Sequence, residues 1–407
     1  MAPNLRGWLP VVAWIVVIYT TIPFVRRLRE WFTGHWDPVL IGWLVAVALA
    51  MAAVAAVLLV LRRPGRLQRR GVPWVVAVAV VLVAWTFHLR RSPEEAVHLI
   101  QYGILAVLIH RALRPTMPDA FLFVAGALIG AVVGTLDEVI QWLVPDRFWD
   151  WRDVVLNAGA GALVQLALWR IAPVAGRRPT PASVRTVLRW SVVLTLLLTL
   201  CLANTPRLVD RYAPRFPGAG YLTSSLNPMA EYGHRHVVPG LGSFTSRLDL
   251  DEIDAEDRSR SAEVAAAVDR YRHRYGEFLD TWPVAEDSFT YELRVHLFAR
   301  DRNLDKARQR QFTGAAAQAS INIAWRENQI VERFFGRTLA ASSYRWKPQL
   351  RQRVDALQDA PVDFRSAAGS HLITFASEGG LRALLLGLTL VLVLADIALG
   401  RYQRGPP

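Results

Sequence analysis

AFLFVAGALIGAVVGTLDEVIQWLVPDRFWDWRDVVLNAGAGALVQLALWRIA, residues 120–172, is two apolar runs separated by a short polar and aromatic link. The runs, residues 120–143 and 154–172, are each close to the roughly 20 residues a helix needs to cross a bilayer core. The link, PDRFWDWRD at residues 145–153, is short enough to make the two helices antiparallel neighbours. Its Phe148, Trp149 and Trp151, with Trp142 before them, suit a membrane-water interface. This stretch predicts a helical hairpin inserted in a membrane.

The same pattern recurs outward. Further apolar runs lie at residues 7–25, 39–61, 73–89, 96–113, 188–203 and 380–399, which gives about eight transmembrane helices. No small-residue cleavage site follows the first run, which continues into Arg26, Arg27 and Arg29, so a retained span is expected. Residues 204–379 lack such runs. The chain has 407 residues, 53% of them hydrophobic and 20% charged, with one Cys. These figures exclude disordered, collagenous and disulfide-stapled classes. The fold class expected is an all-α polytopic membrane bundle with an α+β domain inserted between the last two spans. The expected divisions are residues 1–203, 204–379, 380–400 and a tail at 401–407.

Charge follows the same division. Residues 204–379 hold 24 Lys+Arg and 23 Asp+Glu, so nearly all of the net +13 belongs to the membrane part. The basic balance therefore reflects Arg in short loops between spans and gives no reason to expect nucleic acid. With both termini inside, 15 Arg fall in cytoplasmic segments and seven in short outer loops: Arg26, Arg27, Arg29, Arg90, Arg91, Arg147 and Arg152. That asymmetry favours a multi-pass protein of the cell membrane with cytoplasmic termini and residues 204–379 extracytoplasmic. Cys201 sits in the seventh span, so the exported domain must be stable without disulfides.

Ionisable residues inside a membrane are costly and need a partner or a purpose. His98 and Tyr102 open the fourth span, Asp137, Glu138 and Gln141 close the fifth, and Asp153 and Asn157 open the sixth. Alternation of the chain puts all of these at one membrane face, with Arg147 and Asp150 in the link beside them. Gly126, Gly130 and Gly134 form two overlapping GxxxG steps, a surface on which another helix can pack closely, with the fourth span as the expected partner. Three readings fit this polar seam. It can cap helices and bond them together, or it can hold a ligand or substrate, with His98 or Glu138 as general base and Tyr102, Asp137, Gln141, Arg147, Asp150, Asp153 and Asn157 as binding groups. An ion pathway would instead want carboxylates spaced through the membrane, and Asp396 is the only one elsewhere.

The stretch at residues 134–163 resembles the signature of the VanZ-like family: a DExxQ helix end, a short loop with Pro and Arg, and a D-x3-N-x2-G helix start. HLIQYGILAVL, from His98, resembles that family's H-x3-Y helix. The resemblance covers roughly residues 39–172. It implies a multi-pass envelope protein, whose namesake is an accessory factor in glycopeptide resistance, and it supplies no reaction. The expected partners are membrane lipids and a lipid-linked or cell-wall component. Whether the protein is an enzyme stays open, and no cofactor is assigned.

In the insert, residues 204–240 read as an extended segment, and a helix is expected over 256–279. FTYELRVHLFA, from Phe289, alternates apolar and polar residues and reads as a half-buried strand, placing Glu292 and His296 on one face. Helices are expected over 317–335 and 348–357, and HLITFA from His371 as a returning strand. Glu231, His234 and His236 are three metal-ligand types within six residues, but a loop without a scaffold is a weak site. The acidic run 249–257 lacks the Gly and closing Glu of a calcium loop and reads as helix-end charge. No metal site is assigned.

The Arg asymmetry makes a direct prediction. Cysteines placed at Ser259 or Ser343 in a Cys201→Ser background should react with a membrane-impermeant thiol reagent in intact cells. Labelling that appears only after lysis would invert the topology.

Overall fold

The structure is a computed structural model that describes residues 5–37, 39–62, 70–89, 95–145, 147, 149–172, 178–223, 229–284, 286–359 and 363–404. Arg63, Arg66, Arg69, Arg90, Arg91, Arg177 and Phe148 lie outside the described residues, as do the side chains of Arg26, Arg27 and Arg29. The chain divides into two compact units, Met1–Cys201 with Ala383–Pro407, and Leu202–Arg382.

The first unit contains α1 (Leu5–His35), α2 (Val39–Leu61), α3 (Val72–His88), α4 (Val97–Leu113), α5 (Phe121–Trp142), α6 (Trp151–Ile171), α7 (Pro181–Ala203) and α16 (Glu378–Arg404). Six of these are long and apolar enough to cross a membrane: α1 over Leu5–Phe24, α2, α5, α6, α7 and α16. The other two, α3 and α4, have 17 residues each, or about 25 Å at 1.5 Å per residue against a core of about 30 Å. Met51, Leu59, Val80, Leu200, Leu384 and Val391 are all more than 60% exposed. An apolar outer surface of this kind needs lipid around it. This is the makeup of a helical membrane protein.

The short helix α4 is the centre of the unit. It packs against α1, α5 and α6, and Leu99, Tyr102, Leu105 and Ile109 have no exposed surface. The small residues of α5 admit chiefly α6. A Cβ on Gly134 would lie 2.7 Å from Asn157 Cβ and 3.3 Å from Tyr102 Cε1, and one on Gly126 would lie 2.5 Å from Gln165 Nε2. Gly130 meets nothing within 4 Å. The expectation that α4 would fill the GxxxG surface is thus corrected: Asn157 and Gln165 of α6 occupy it, and Tyr102 reaches only its end. Helices α7 and α16 are joined by Thr389 Oγ1 donating to Thr195 Oγ1 at 2.8 Å. Asp396 accepts from Arg185 Nε at 2.8 Å and from Arg189 Nε at 3.3 Å, so the carboxylate that an ion pathway would need is already paired.

The second unit contains α8 (Pro206–Tyr212), two short 3-10 turns, β1 (His234–Val238), β2 (Gly242–Ser246), α9 (Leu250–Ser259), α10 (Ser261–Arg270), α11 (Tyr275–Thr281), α12 (Ser288–Gln309), α13 (Ala315–Phe334), α14 (Gly336–Ala341) and α15 (Pro348–Leu357). The one sheet among its described residues is the antiparallel β1–β2 hairpin, with His234 opposite Ser246 and Val238 opposite Gly242. The turn is tight, and Gly242 has a φ of 110° and presses on the Phe364 carbonyl, where a side chain has no room. The unit is built on α12 packed along α13, with Phe289, Leu293, Leu297, Ile330 and Val331 in its core.

Four expectations for this unit are corrected. The stretch from Phe289 forms the helix α12, not a strand. Phe289, Leu293 and Leu297 sit four apart, so they satisfy a period of two and a helical stripe alike, and Asp287 caps the helix through the Thr290 N–H at 3.1 Å. The polar positions that suggested an outer face, Glu292, Arg294 and His296, are buried. The returning strand from His371 shrinks to a single bridge between Ile373 and Tyr232. The helix expected over 256–279 is broken at Arg260, whose guanidinium takes Glu256, Glu263 and Asp287. Residues 206–212 and 234–238, expected to be extended loop, form α8 and β1.

The Gly134 contact generates a test. Gly134→Ala should lower stability by about 1–3 kcal/mol through overpacking. Gly130→Ala should be neutral or stabilising, because Ala is the better helix former by about 1 kcal/mol. Thermal unfolding of the purified protein in detergent would measure both, and equal melting temperatures would contradict the packing described.

Candidate functional site

The buried polar groups of the first unit gather where α4 begins, α5 ends and α6 begins. Tyr102 on α4 donates its hydroxyl to Asp137 Oδ2 at 2.9 Å. One turn earlier, His98 Nδ1 stands 3.8 Å from the same oxygen and has no hydrogen-bond partner among the described residues. Next on α5, Glu138 accepts from Gln141 Nε2 at 2.8 Å through one carboxylate oxygen. Its other oxygen faces the Asp150 backbone N–H at 3.5 Å. Arg147 turns back from the link and donates to Gln141 Oε1.

Gln141 is therefore the joint between Glu138 and Arg147, which form no direct ion pair. The Arg147 charge still acts on His98, Asp137, Glu138 and Asp153 through space. Asp150 is the N-cap of α6, accepting from the Arg152 N–H at 2.8 Å. Asp153 lies in electrostatic range of Glu138 and is half-buried. Asn157 is fully buried against Gly134, and neither its amide oxygen nor its nitrogen finds a partner among the described residues. Among the described residues it does not bond to Glu138.

Burial divides the seam in two. Tyr102, Asp137, Glu138 and Asn157 have no exposed surface. His98 keeps 18% of its side-chain surface, and Arg147, Asp150 and Asp153 are half-buried. The inner part is a sealed contact between helices, and the residues of the outer rim keep part of their surface exposed. Sequence reasoning missed Tyr19 on α1, whose hydroxyl donates to the Val133 carbonyl at 2.8 Å. The available signal was a phenol inside an otherwise apolar span.

In the second unit, Glu231, His234 and His236 do not converge. Glu231 precedes β1 and is buried between Arg247 Nη2 at 2.6 Å and His371 Nε2 at 2.6 Å. Burial alone would raise its carboxyl, but the His371 hydrogen bond and the Arg247 charge outweigh it and hold it below the usual range. His236 instead approaches the Leu248 carbonyl at 3.0 Å. Glu292 closes the network, accepting from Ser246 Oγ at 2.5 Å and from the Arg247 N–H at 2.7 Å. His296 faces Glu327, not Glu292, at 2.7 Å.

In the acidic run, Asp249 and Glu252 form a capping box on α9. Asp257 receives the N–H groups of Arg337 and Thr338, both at 2.9 Å. Among the described residues, no group of three or more His, Cys, Asp or Glu is placed to hold a metal ion. No protein-family model, curated protein or solved structure matches this chain.

Proposed function

We propose that this chain is a VanZ-like integral membrane protein of the bacterial cell envelope that acts as an accessory or binding protein. In this reading α3 and α4 also span, giving eight transmembrane helices. Both termini are cytoplasmic, and residues 204–379 form an extracytoplasmic binding module. The seam joins the helices through its sealed inner part and offers its rim, with His98 and Arg147, to a polar headgroup. The observation that carries the reading is the enclosure of Glu138. A general base must come within about 3 Å of the proton it takes, whereas this carboxylate has no exposed surface and both its oxygens face donors of the protein itself.

One observation favours a second reading, an enzyme acting on a lipid-linked envelope substrate. His98 is partly exposed, and its ring lies beside a carboxylate that Tyr102 holds in place. That is the arrangement of a base and its orienting group, with Arg147 available for an anionic headgroup.

Glu138→Gln and His98→Gln together separate the two. Glu138 accepts from two donors, so a glutamine amide must turn its NH2 toward one of them. Leaving buried donors opposed costs about 1–3 kcal/mol. The accessory reading predicts a lower melting temperature and a lower yield, with any change in glycopeptide tolerance of the host following the amount of folded protein. A His98→Gln variant made at normal yield and stability but without function would instead support the enzyme, whose base is His98.

A further inference from the structure

The second unit is nearly neutral as a whole, yet its charges are not evenly spread. An open cleft of about 1150 Å3 runs between the C-terminal half of α12, the turn after α10 and the loop before α15, and it is lined by eight Arg and Lys against two Asp. Both lysines of the chain, Lys306 and Lys347, are among them.

The two carboxylates do not neutralise this charge. Asp301 is held by Arg300 at 2.7 Å, and Asp305 by Arg308 at 3.0 Å. Arg272, Arg302, Lys306, Arg345 and Lys347 form no ion pair among the described residues, and His273 stands beside them. Aromatic faces support two of these cations: Arg272 lies over Tyr344 at 5.2 Å and Arg302 over Phe298 at 5.8 Å. Such contacts position a cation without cancelling its charge. The buried Arg294 donates to the Tyr271 carbonyl at 3.1 Å and to the Arg272 carbonyl at 3.3 Å, which fixes the turn that carries Arg272.

We propose that this cleft binds a ligand carrying two or more linked phosphate groups. Five unneutralised cations on three separate segments exceed what one monovalent anion can engage, and the cleft is larger than the 300–1,000 Å3 usual for a small-molecule pocket. Arginine forks match phosphate oxygens in pairs, and lysine adds compact charge. Leaving five such cations adjacent costs self-repulsion that a polyanion removes. The proposal rests on the reading of the insert as a binding module and is independent of the seam. The phosphate chain can be free or carried on a lipid, since the same groups recognise both.

The test is titration calorimetry on the full-length protein in neutral-lipid nanodiscs at low salt. Tripolyphosphate should bind saturably and at least tenfold more tightly than orthophosphate, with affinity falling as salt rises. Lys306→Glu and Lys347→Glu should each weaken it fivefold or more, whereas Arg235→Glu, on the exposed side of β1, should not change it. Equal affinity for pyrophosphate and farnesyl diphosphate identifies a free ligand, and a tenfold gain for the latter a lipid-borne one. Loss of binding by Arg235→Glu as large as by Lys306→Glu would overturn the proposal, as would orthophosphate binding equally well. Saturable binding of a neutral saccharide with none of tripolyphosphate would discard the phosphate ligand while keeping the insert as a binding module.

Discussion

Asp137 and Glu138 are two successive carboxylates with no exposed surface, at the end of a helix whose other side chains are mostly apolar. A group of this kind in hydrocarbon costs several kcal/mol unless hydrogen-bonded. That constraint accounts for much of the surrounding packing. Tyr102 brings α4 to Asp137, and Gln141 and the start of α6 serve Glu138. Gly134 lets α6 come close enough, through Asn157, to close the gap. Arg147 then completes the cluster from the link, donating to Gln141, which in turn donates to Glu138.

The parts legible in the sequence were those where one physical requirement dominates. Helix α2 coincides with the apolar run at residues 39–61, because apolar length alone defines it. Helix α15 begins at Pro348, which fits the first turn of a helix and no later position. The seam residues were picked out because charge inside an apolar run is rare. Reading failed where two requirements share residues. In α12 the stripe of Phe289, Leu293 and Leu297 fits strand and helix alike, and burial of Glu292, Arg294 and His296 removed the polar face that would have distinguished them. Tyr19 was missed because its hydrogen bond goes to a backbone carbonyl 114 residues away, which no local pattern records. Glu231 was grouped with His234 and His236 by proximity in the chain, whereas its partners are Arg247 and His371.

The two units treat charge in opposite ways. In the first, three carboxylates are met within the protein: Asp396 is paired with two arginines, Asp137 is hydrogen-bonded by a phenol, and Glu138 by an amide. The second does the same with Glu231, Arg247 and Glu292 in its interior, yet keeps five cations of one cleft unpaired. Neutralisation within the fold serves stability. Charge left uncompensated in a concave place is what a ligand of opposite sign can use, and on this ground we propose recognition for the insert and assembly for the sealed part of the seam.

The central claim is that the inner seam is an interhelical contact holding α4 to α5. A double-mutant cycle on Tyr102→Phe and Asp137→Asn, read by thermal or denaturant unfolding in detergent, tests it most directly. Both substitutions are nearly isosteric, so what remains is the coupling across the 2.9 Å bond. The account predicts a coupling of about 1–3 kcal/mol, as for a hydrogen bond to a charged group. Effects that add to within about 0.3–0.5 kcal/mol would contradict it.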